Sequence, residues 1–310
     1  MSTKPLQLTG LVAATFTPMQ KDGSLHLDAI PPVVEHLIRW KVAGLYVVGS
    51  TGEGVSLTSA ERKMAVETFV RAAGDRIPII VQVGHNSVAE ACDMAAHAEQ
   101  IGAAAVSATP PSYFKPATAE RLVRTMAEIA SAAPTRPFYY YHIPHVTGVR
   151  IGMLDFLDGA SSAIPTLAGI KFTSPAFDEM LACLQFRSGA FEILSGFDEM
   201  LLSALAIGVK GAVGSTYNFA APVYGRILDA VARCALDEAR LWQSRAVAMI
   251  RCVVKHDGLA GQKAVMKMLG YDCGPTRLPL AQLDDKQFDA MRKELQSLGF
   301  FQWIGMENKA

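Results

Sequence analysis

Eight short apolar runs, each followed by a longer stretch of mixed polarity, constrain how this chain can fold more than any other feature. The runs lie at Leu11–Phe16, Gly44–Gly49, Ile77–Val83, Ala103–Ala108, Phe138–Tyr141, Leu167–Phe172, Phe191–Leu194 and Gly211–Val213. Amphipathic segments between them include Ala60–Ala73, Ser87–Ile101, Thr118–Ala132 and Glu199–Ile207. Strands that alternate with helices eight times predict the α/β class and favour a closed (β/α)8 barrel of the TIM type. An open doubly wound sheet is the alternative that the same pattern leaves open.

The last third of the chain has a different pattern. After Val213 the strand signals stop, and helical segments follow at Ala221–Cys234, Asp237–Val254, Gly258–Leu269 and Leu283–Leu298. No low-complexity linker separates these segments from the preceding repeats. We therefore predict a barrel in residues 1–221 that carries the active site, and a helical extension in residues 222–310 that packs on it.

The charge balance and the cysteines limit the classes of function. With 29 basic and 29 acidic residues among 310, the chain has no electrostatic footprint for nucleic acid or for an anionic membrane. Its apolar runs are too short to span a bilayer, and no basic and apolar leader opens it. The five cysteines lie far apart, as is typical of reduced thiols. We expect a cytoplasmic protein that acts on a small molecule.

Lys171 is the most unusual residue for its position, because it lies inside an apolar strand run. Burying an unpaired ammonium costs several kcal/mol. Side chains alternate along a strand, so Gly169, Lys171 and Thr173 share one face. Ile170 and Phe172 share the other face and suit contact with the surrounding helices. Lys171 is therefore predicted to point into the barrel, where the small Gly169 leaves room for it.

A buried lysine has a specific chemical use. Desolvation favours the neutral amine, and a neutral amine is the nucleophile that condenses with a ketone. The alternative is a lysine that extends from the strand end to solvent, or one paired with a structural carboxylate. In such barrels, chemistry gathers at the carboxyl ends of the strands, so the residues that follow each run decide between these interpretations.

The second run ends in the glycine-rich loop Gly49–Gly54. Its backbone N–H groups, together with the hydroxyls of Ser50 and Thr51, could bind an anion. No Lys or Arg lies in the loop, so a small carboxylate fits it better than a polyphosphate. An ordinary glycine-rich turn is the alternative.

The fifth run carries Tyr141 near the predicted rim, where a phenol can transfer a proton. The alternative is a core aromatic whose hydroxyl is satisfied. His142 and His145 form an H-x-x-H pair, but no matching carboxylate or cysteine cluster accompanies them. We therefore predict no metal site.

Two further loops could bind a polyol. Asp198 and Glu199 follow the seventh run, where they would accept hydrogen bonds or simply favour a helix N-terminus. Ser215 follows the eighth run and offers a hydroxyl at the same rim. Together the loops present an amine, a phenol, an anion cradle and polyol acceptors.

Four motifs carry a family resemblance, and they occur in the expected order: Gly49–Glu53, Tyr141–Pro144, Gly169–Lys171 and Gly214–Asn218. Over essentially its whole length the chain resembles the dihydrodipicolinate synthase and N-acetylneuraminate lyase family of pyruvate aldolases. The resemblance implies a (β/α)8 barrel, usually a homotetramer, in which Lys171 forms a Schiff base with pyruvate. It also implies that Ser50 and Thr51 hold the pyruvate carboxylate and that Tyr141 transfers protons.

Within the family, the residues after Tyr141 favour the lyase branch. The synthase branch usually has an arginine where this chain has Val146. The resemblance places five residues on the sugar chain: Thr173, Gly196, Asp198, Glu199 and Ser215. It also suggests that Tyr113 reaches a neighbouring subunit's site, although its loop is a residue longer than in common members.

The activity implied by the resemblance is reversible aldol cleavage of N-acetylneuraminate to N-acetylmannosamine and pyruvate. It needs no metal or other cofactor, because the protonated imine stabilises the developing charge. The nearest alternative is another pyruvate-dependent aldolase or dehydratase that acts on a 2-keto-3-deoxy sugar acid, with dihydrodipicolinate synthase less favoured. A catalytically silent barrel that binds a sugar acid is the alternative from a different class.

Overall fold

Eight parallel strands close into a barrel in which each strand pairs with the next and β8 pairs with β1. The computed structural model describes residues 6–306. The strands are β1 (Gly10–Ala14), β2 (Gly44–Val47), β3 (Ile79–Gln82), β4 (Ala105–Ala108), β5 (Phe138–His142), β6 (Leu167–Phe172), β7 (Glu192–Ser195) and β8 (Gly211–Gly214). All eight predicted strands are present with ends within two residues of the prediction. The closed barrel is confirmed, and the open sheet is wrong.

Helices surround the barrel and continue after it. They are α1 (Ile30–Arg39), α2 (Ser59–Ala73), α3 (Val88–Gln100), α4 (Ala119–Ser131), α5 (Pro144–Thr147), α6 (Met153–Ala163), α7 (Phe177–Gln185), α8 (Leu201–Ala206), α9 (Tyr217–Ala232), α10 (Leu236–Lys255), α11 (Leu259–Met268), α12 (Asp285–Leu298) and α13 (Phe300–Trp303). The α2 helix begins at a capping box formed by Thr58 and Glu61. None of the helices in the described part of the chain is both long and apolar enough to cross a membrane.

Strand alternation creates two apolar layers. Ile170 and Phe172 belong to the large core between the strands and the helices. Tyr46, Tyr141 and Leu194 belong to a separate cluster inside the barrel. The predicted faces of β6 are therefore confirmed for Ile170, Lys171 and Phe172, and the Lys171 side chain points inward.

Gly169 is needed for a reason other than the predicted one. A Cβ atom at this position would lie 1.8 Å from the backbone oxygen of Glu192, the residue that Gly169 faces on β7. The glycine therefore allows β6 and β7 to approach each other. The prediction that it makes room for Lys171 is wrong, because its missing side chain would point at the neighbouring strand.

The predicted division between barrel and extension falls inside a helix. The α9 helix runs continuously from Tyr217 to Ala232 with Pro222 inside it, so the predicted boundary between residues 221 and 222 falls within this helix. Ala220 adopts a non-helical conformation there, which marks a kink. We propose to count α9 as the eighth barrel helix and to begin the extension at α10.

Candidate active site

Lys171 lies between two aromatic rings inside the barrel. Its Nζ atom is 4.0 Å from the centroid of the Tyr46 ring and 3.9 Å from that of Tyr141. Only 4% of its surface is exposed, so the side chain does not extend to solvent. Among residues 6–306 it has no ion-pair partner, and its Nζ atom contacts the faces of the two rings. The two alternative interpretations, a lysine that extends to solvent and a lysine paired with a structural carboxylate, are therefore wrong.

Tyr46 is the member of this cluster that sequence reasoning missed. Its hydroxyl donates a hydrogen bond to Ser107 Oγ at 3.0 Å. Burial raises the pKa of Tyr46 well above its ordinary value, so the phenol stays protonated. In the sequence it lies inside the apolar run Gly44–Gly49, and nothing there distinguishes it from an ordinary core aromatic.

A cavity of about 240 Å³ opens above Lys171. Its wall includes most of the predicted site residues: Thr51, Tyr141, Gly196, Asp198, Glu199 and Ser215. These six residues come from the ends of four strands, β2, β5, β7 and β8, and Lys171 adds a fifth strand, β6. Most of the predicted residues therefore meet at one rim, and the arrangement offers an amine beneath a set of hydrogen-bonding groups.

The loop after β2 has a tightly constrained backbone. Val48 adopts φ of 49°, a left-handed conformation that is strained for a β-branched residue. A Cβ atom at Gly54 would lie 1.9 Å from the Val48 carbonyl oxygen, so the close approach requires glycine. Thr51 lies on the cavity wall, whereas Ser50 is exposed beside it.

Asp198 is a buried carboxyl at the end of β7. One of its oxygens, Oδ2, accepts hydrogen bonds from Thr216 N at 2.9 Å and from Thr216 Oγ1 at 2.6 Å. The other oxygen, Oδ1, has no hydrogen-bond partner within residues 6–306. Burial raises the pKa of Asp198 to about 6. This carboxyl can therefore bind a substrate hydroxyl in either protonation state.

Thr173 lies behind the wall, directly beneath Gly196. A Cβ atom at Gly196 would lie 1.8 Å from Thr173 Oγ1, so this contact requires glycine. Thr173 is buried, and its hydroxyl has no partner in the described chain.

Tyr113 is the predicted site residue that the structure does not bring to this cavity. It is 77% exposed and packs edge-on against Phe114, which is 85% exposed. Its backbone N–H donates a hydrogen bond to Asn86 Oδ1 at 3.1 Å, which holds the loop. The role of Tyr113 in a neighbouring subunit stays a prediction.

The two histidines of the H-x-x-H pair lie in separate aromatic contacts. His142 is buried 4.8 Å from the Phe172 ring, and burial lowers its pKa to about 4. His145 stacks on Phe197. Neither contact is typical of a metal ligand.

Potential metal ligands instead meet in the extension. Cys252, His256 and Glu294 approach one another there. Lys255 Nζ already lies 3.0 Å from a Glu294 oxygen, so a cation would have to displace that ion pair. The sequence did not reveal this group because Glu294 belongs to a different helix.

A buried ion pair supports the glycine loop, and sequence reasoning missed both partners. Glu53 at the end of the loop lies 2.6 Å from Lys263 of α11. Both side chains are almost completely buried. The extension therefore contributes directly to the geometry of the barrel rim.

A scan against protein-family models matches residues 7–298 to the dihydrodipicolinate synthetase family. The N-acetylneuraminate lyase of Gallus gallus is 40% identical over 297 residues, which cover 94% of this chain and 96% of that protein. The human N-acetylneuraminate lyase is 38% identical over 307 residues, with 97% and 96% covered.

Solved structures give the same result. The Proteus mirabilis N-acetylneuraminate lyase superposes with a TM-score of 0.92 at 36% identity, covering 94% of this chain and 99% of that one. A catalytic lysine mutant of the Ruminococcus gnavus sialic acid aldolase superposes with a TM-score of 0.91 at 25% identity, covering 97% and 99%.

Proposed function

Because the chain belongs to the dihydrodipicolinate synthetase family, we propose that it is a Schiff-base-forming aldolase that reversibly cleaves N-acetylneuraminate to N-acetylmannosamine and pyruvate. The family resemblance predicted from the four motifs is confirmed. The N-acetylneuraminate lyases that match over nearly the whole chain support the choice of substrate. The activity is that of a lyase, as we predicted.

One observation carries the mechanism: a buried lysine without an ion-pair partner in the described chain lies at the floor of a polar cavity. A structural lysine in such a place would need a carboxylate. The solved Ruminococcus gnavus relative has a catalytic lysine, which supports the same role for Lys171.

The first step joins enzyme and substrate. The open-chain sugar acid binds with its carboxylate on the loop of Ser50 and Thr51, which places its C2 ketone over Lys171. The Lys171 amine attacks C2, and the carbonyl oxygen leaves as water with one proton from the amine and one from the Tyr141 phenol, which becomes a phenolate. The product is an iminium ion between Nζ and C2.

The second step breaks the carbon–carbon bond. Tyr141 accepts the proton of the C4 hydroxyl, directly or through the substrate carboxylate, and C4 becomes the aldehyde carbon of N-acetylmannosamine. The electron pair of the C3–C4 bond moves into the iminium and forms an enamine. Protonation of C3 and hydrolysis by water then release pyruvate and restore the Lys171 amine.

This route uses no metal or other cofactor in our proposal, because the iminium itself accepts the electron pair. Asp198, Glu199 and Ser215 offer hydrogen bonds to the hydroxyl groups of the sugar chain. Thr173 and Gly196 complete that part of the site. Val146 is exposed and occupies the position where the synthase branch usually has an arginine. The site therefore lacks the group with which that branch would bind a second substrate carboxylate.

We also propose a homotetramer in which Tyr113 enters a neighbouring site. The exposure of adjacent Tyr113 and Phe114 supports an interface at this loop, since a neighbouring copy would bury both rings. A cytoplasmic location is supported by five cysteines that are all free.

A coupled assay for pyruvate release tests the function. We expect N-acetylneuraminate to be cleaved with a higher kcat/KM than 2-keto-3-deoxygluconate. Preference for the smaller acid would replace our proposal with the sugar-acid aldolase alternative. Absence of turnover with every keto acid of a small panel would favour the silent sugar-acid-binding barrel.

A further inference from the structure

We propose that Glu53 and Lys263 are positioning residues through which the helical extension fixes the loop that binds the pyruvate carboxylate. The inference rests on the proposed function, since it assigns a task to that loop. Neither residue touches the reacting atoms in the mechanism above. Their effect on the reaction would pass through Ser50 and Thr51, which lie between Val48 and Glu53 in the chain.

The ion pair is buried, and further oxygen atoms surround its ammonium group. Lys263 Nζ lies 2.6 Å from Glu53 Oε1, and the two side chains are 3% and 0% exposed. The same ammonium donates to the carbonyl oxygen of Pro275 at 2.8 Å and to that of Thr17 at 3.3 Å. Three oxygen atoms therefore surround the ammonium, one from a carboxylate and two from backbone carbonyls, which offsets the cost of burying its charge.

The second carboxylate oxygen ties the loop to another part of the extension. Glu53 Oε2 accepts a hydrogen bond from the backbone N–H of Arg277 at 2.7 Å. The Arg277 guanidinium then bonds Ser56 O at 3.0 Å and Glu61 Oε2 at 2.9 Å. The residues just after the loop are thus held from the same side as Glu53.

The loop needs this support because its conformation is strained at both ends. Val48 has φ of 49° and Glu53 has φ of 54°, so both lie in the left-handed region that favours glycine. Inside the loop, Gly54 N donates to Gly49 O at 3.0 Å, and Thr17 Oγ1 donates to Gly52 O at 2.7 Å. Strained backbone of this kind persists only where its surroundings hold it.

Thr17 links the two halves of the arrangement. Its hydroxyl holds Gly52, and its carbonyl oxygen accepts from Lys263. Glu53 and Thr17 therefore connect the Lys263 ammonium to both sides of the loop that we propose binds the pyruvate carboxylate. The extension also supplies Ile250, Val254 and Gln262 to the cavity wall, so it shapes the site in two ways.

Substitutions at the two ends of the pair test the proposal. Lys263→Met keeps a long side chain without charge, and Glu53→Gln keeps the acceptor for Arg277 in nearly the same volume. Lys267→Met is the matched control, since Lys267 lies on the same helix with 58% of its side chain exposed and pairs only with exposed Asp272. Thermal unfolding and circular dichroism identify the variants that fold.

The first measurement needs no ligand. We expect hydrogen exchange at the Glu53 and Gly54 amides, which bond Ser50 and Gly49 in the wild type, to be faster in Lys263→Met and in Glu53→Gln. The Lys267→Met control should exchange at the wild-type rate. Equal rates in all folded variants would overturn the proposal, whatever the enzyme's substrate.

The second measurement concerns binding of pyruvate. We expect the pyruvate concentration for half-maximal borohydride trapping to rise by about 10²-fold in both variants, because the cradle is displaced. At saturating pyruvate, Lys171 should still be labelled completely. A wild-type midpoint in the folded variants would overturn the positioning role, whereas failure of the wild type itself to be trapped would overturn the proposed function.

Discussion

Lys171 and Tyr141 face each other directly on neighbouring strands, with Nζ 3.9 Å from the centroid of the phenol ring. The ring face contacts the amine, while the phenol group belongs to the cavity wall. Within residues 6–306 the Tyr141 hydroxyl has no hydrogen-bond partner, unlike that of Tyr46, which is bonded to Ser107. Tyr141 is therefore the phenol of the pair that is free to exchange a proton with a substrate.

Tyr141→Phe separates the two roles of this residue. The substitution keeps the ring against Lys171 and removes only the proton-transferring oxygen. We expect kcat for N-acetylneuraminate cleavage to fall by about 10²–10⁴-fold, while pyruvate trapping on Lys171 persists. Steady-state kinetics and mass spectrometry of the reduced adduct measure the two effects.

Tyr46→Phe is the matched control for that prediction. It also keeps a ring beside Lys171, but it removes a hydroxyl that only bonds Ser107. We expect the lost hydrogen bond to cost about 1 kcal/mol of unfolding free energy. The kcat of this variant should stay within about fivefold of the wild-type value. An equal loss in the two variants would contradict the assignment of Tyr141 as the proton carrier.

Asp198 makes stability depend on pH. Burial raises its pKa from 3.8 to about 6, so folding favours the protonated form. The stabilisation is fully present below the unfolded pKa and is lost as the pH rises through the folded pKa. Because Asp198→Asn stays neutral, we expect the wild type to lose about 2 kcal/mol of unfolding free energy relative to this variant between about pH 4.5 and about pH 7.5.

Urea unfolding at a fixed protein concentration measures this difference. Asp289→Asn serves as the reference substitution, since Asp289 lies on the exposed face of α12. A difference between the wild type and Asp198→Asn that stays constant across the pH range would rule out a raised pKa at this carboxyl.

Gly196→Ala tests the packing beneath the sugar chain. The new Cβ would lie 1.8 Å from Thr173 Oγ1, so either Thr173 or the loop after β7 must move. We expect kcat/KM for N-acetylneuraminate to fall by about 10²-fold, with pyruvate trapping unchanged. Gly225→Ala in α9 is the control, because its Cβ would meet nothing within 4 Å. Equal kcat/KM values for the two variants would show that the Gly196 contact does not position the sugar.

The sequence predicted the strands of the barrel well because their signals are local. Apolar runs of strand length and the glycine steps between them are visible in single segments, and alternation along β6 was enough to direct Lys171 inward. The ends of the helices were less predictable after the last strand, β8, where α9 begins at Tyr217 and continues through Pro222. Local propensity treats such a proline as a boundary, but packing against the barrel overrides it.

The residues that the sequence could not supply depend on contacts between distant segments. Lys263 meets Glu53 only after the extension has packed on the barrel. Glu53 ends the Gly49–Glu53 motif, but the motif does not indicate a partner on α11. Tyr46 could not be predicted for a different reason, because an aromatic residue in a short apolar strand is typical of the hydrophobic core. Its ring is indeed part of the core, and only closure of the barrel, which brings β2 and β6 to face each other, places it against the amine of Lys171.

Borohydride reduction in the presence of pyruvate tests the central claim most directly. Peptide mass mapping should find the three-carbon pyruvate adduct on Lys171 of the wild type. The Lys171→Met variant should carry none and should have lost all cleavage of N-acetylneuraminate. An adduct on another lysine, or full cleavage by Lys171→Met, would contradict the account of this barrel as a lysine-dependent aldolase.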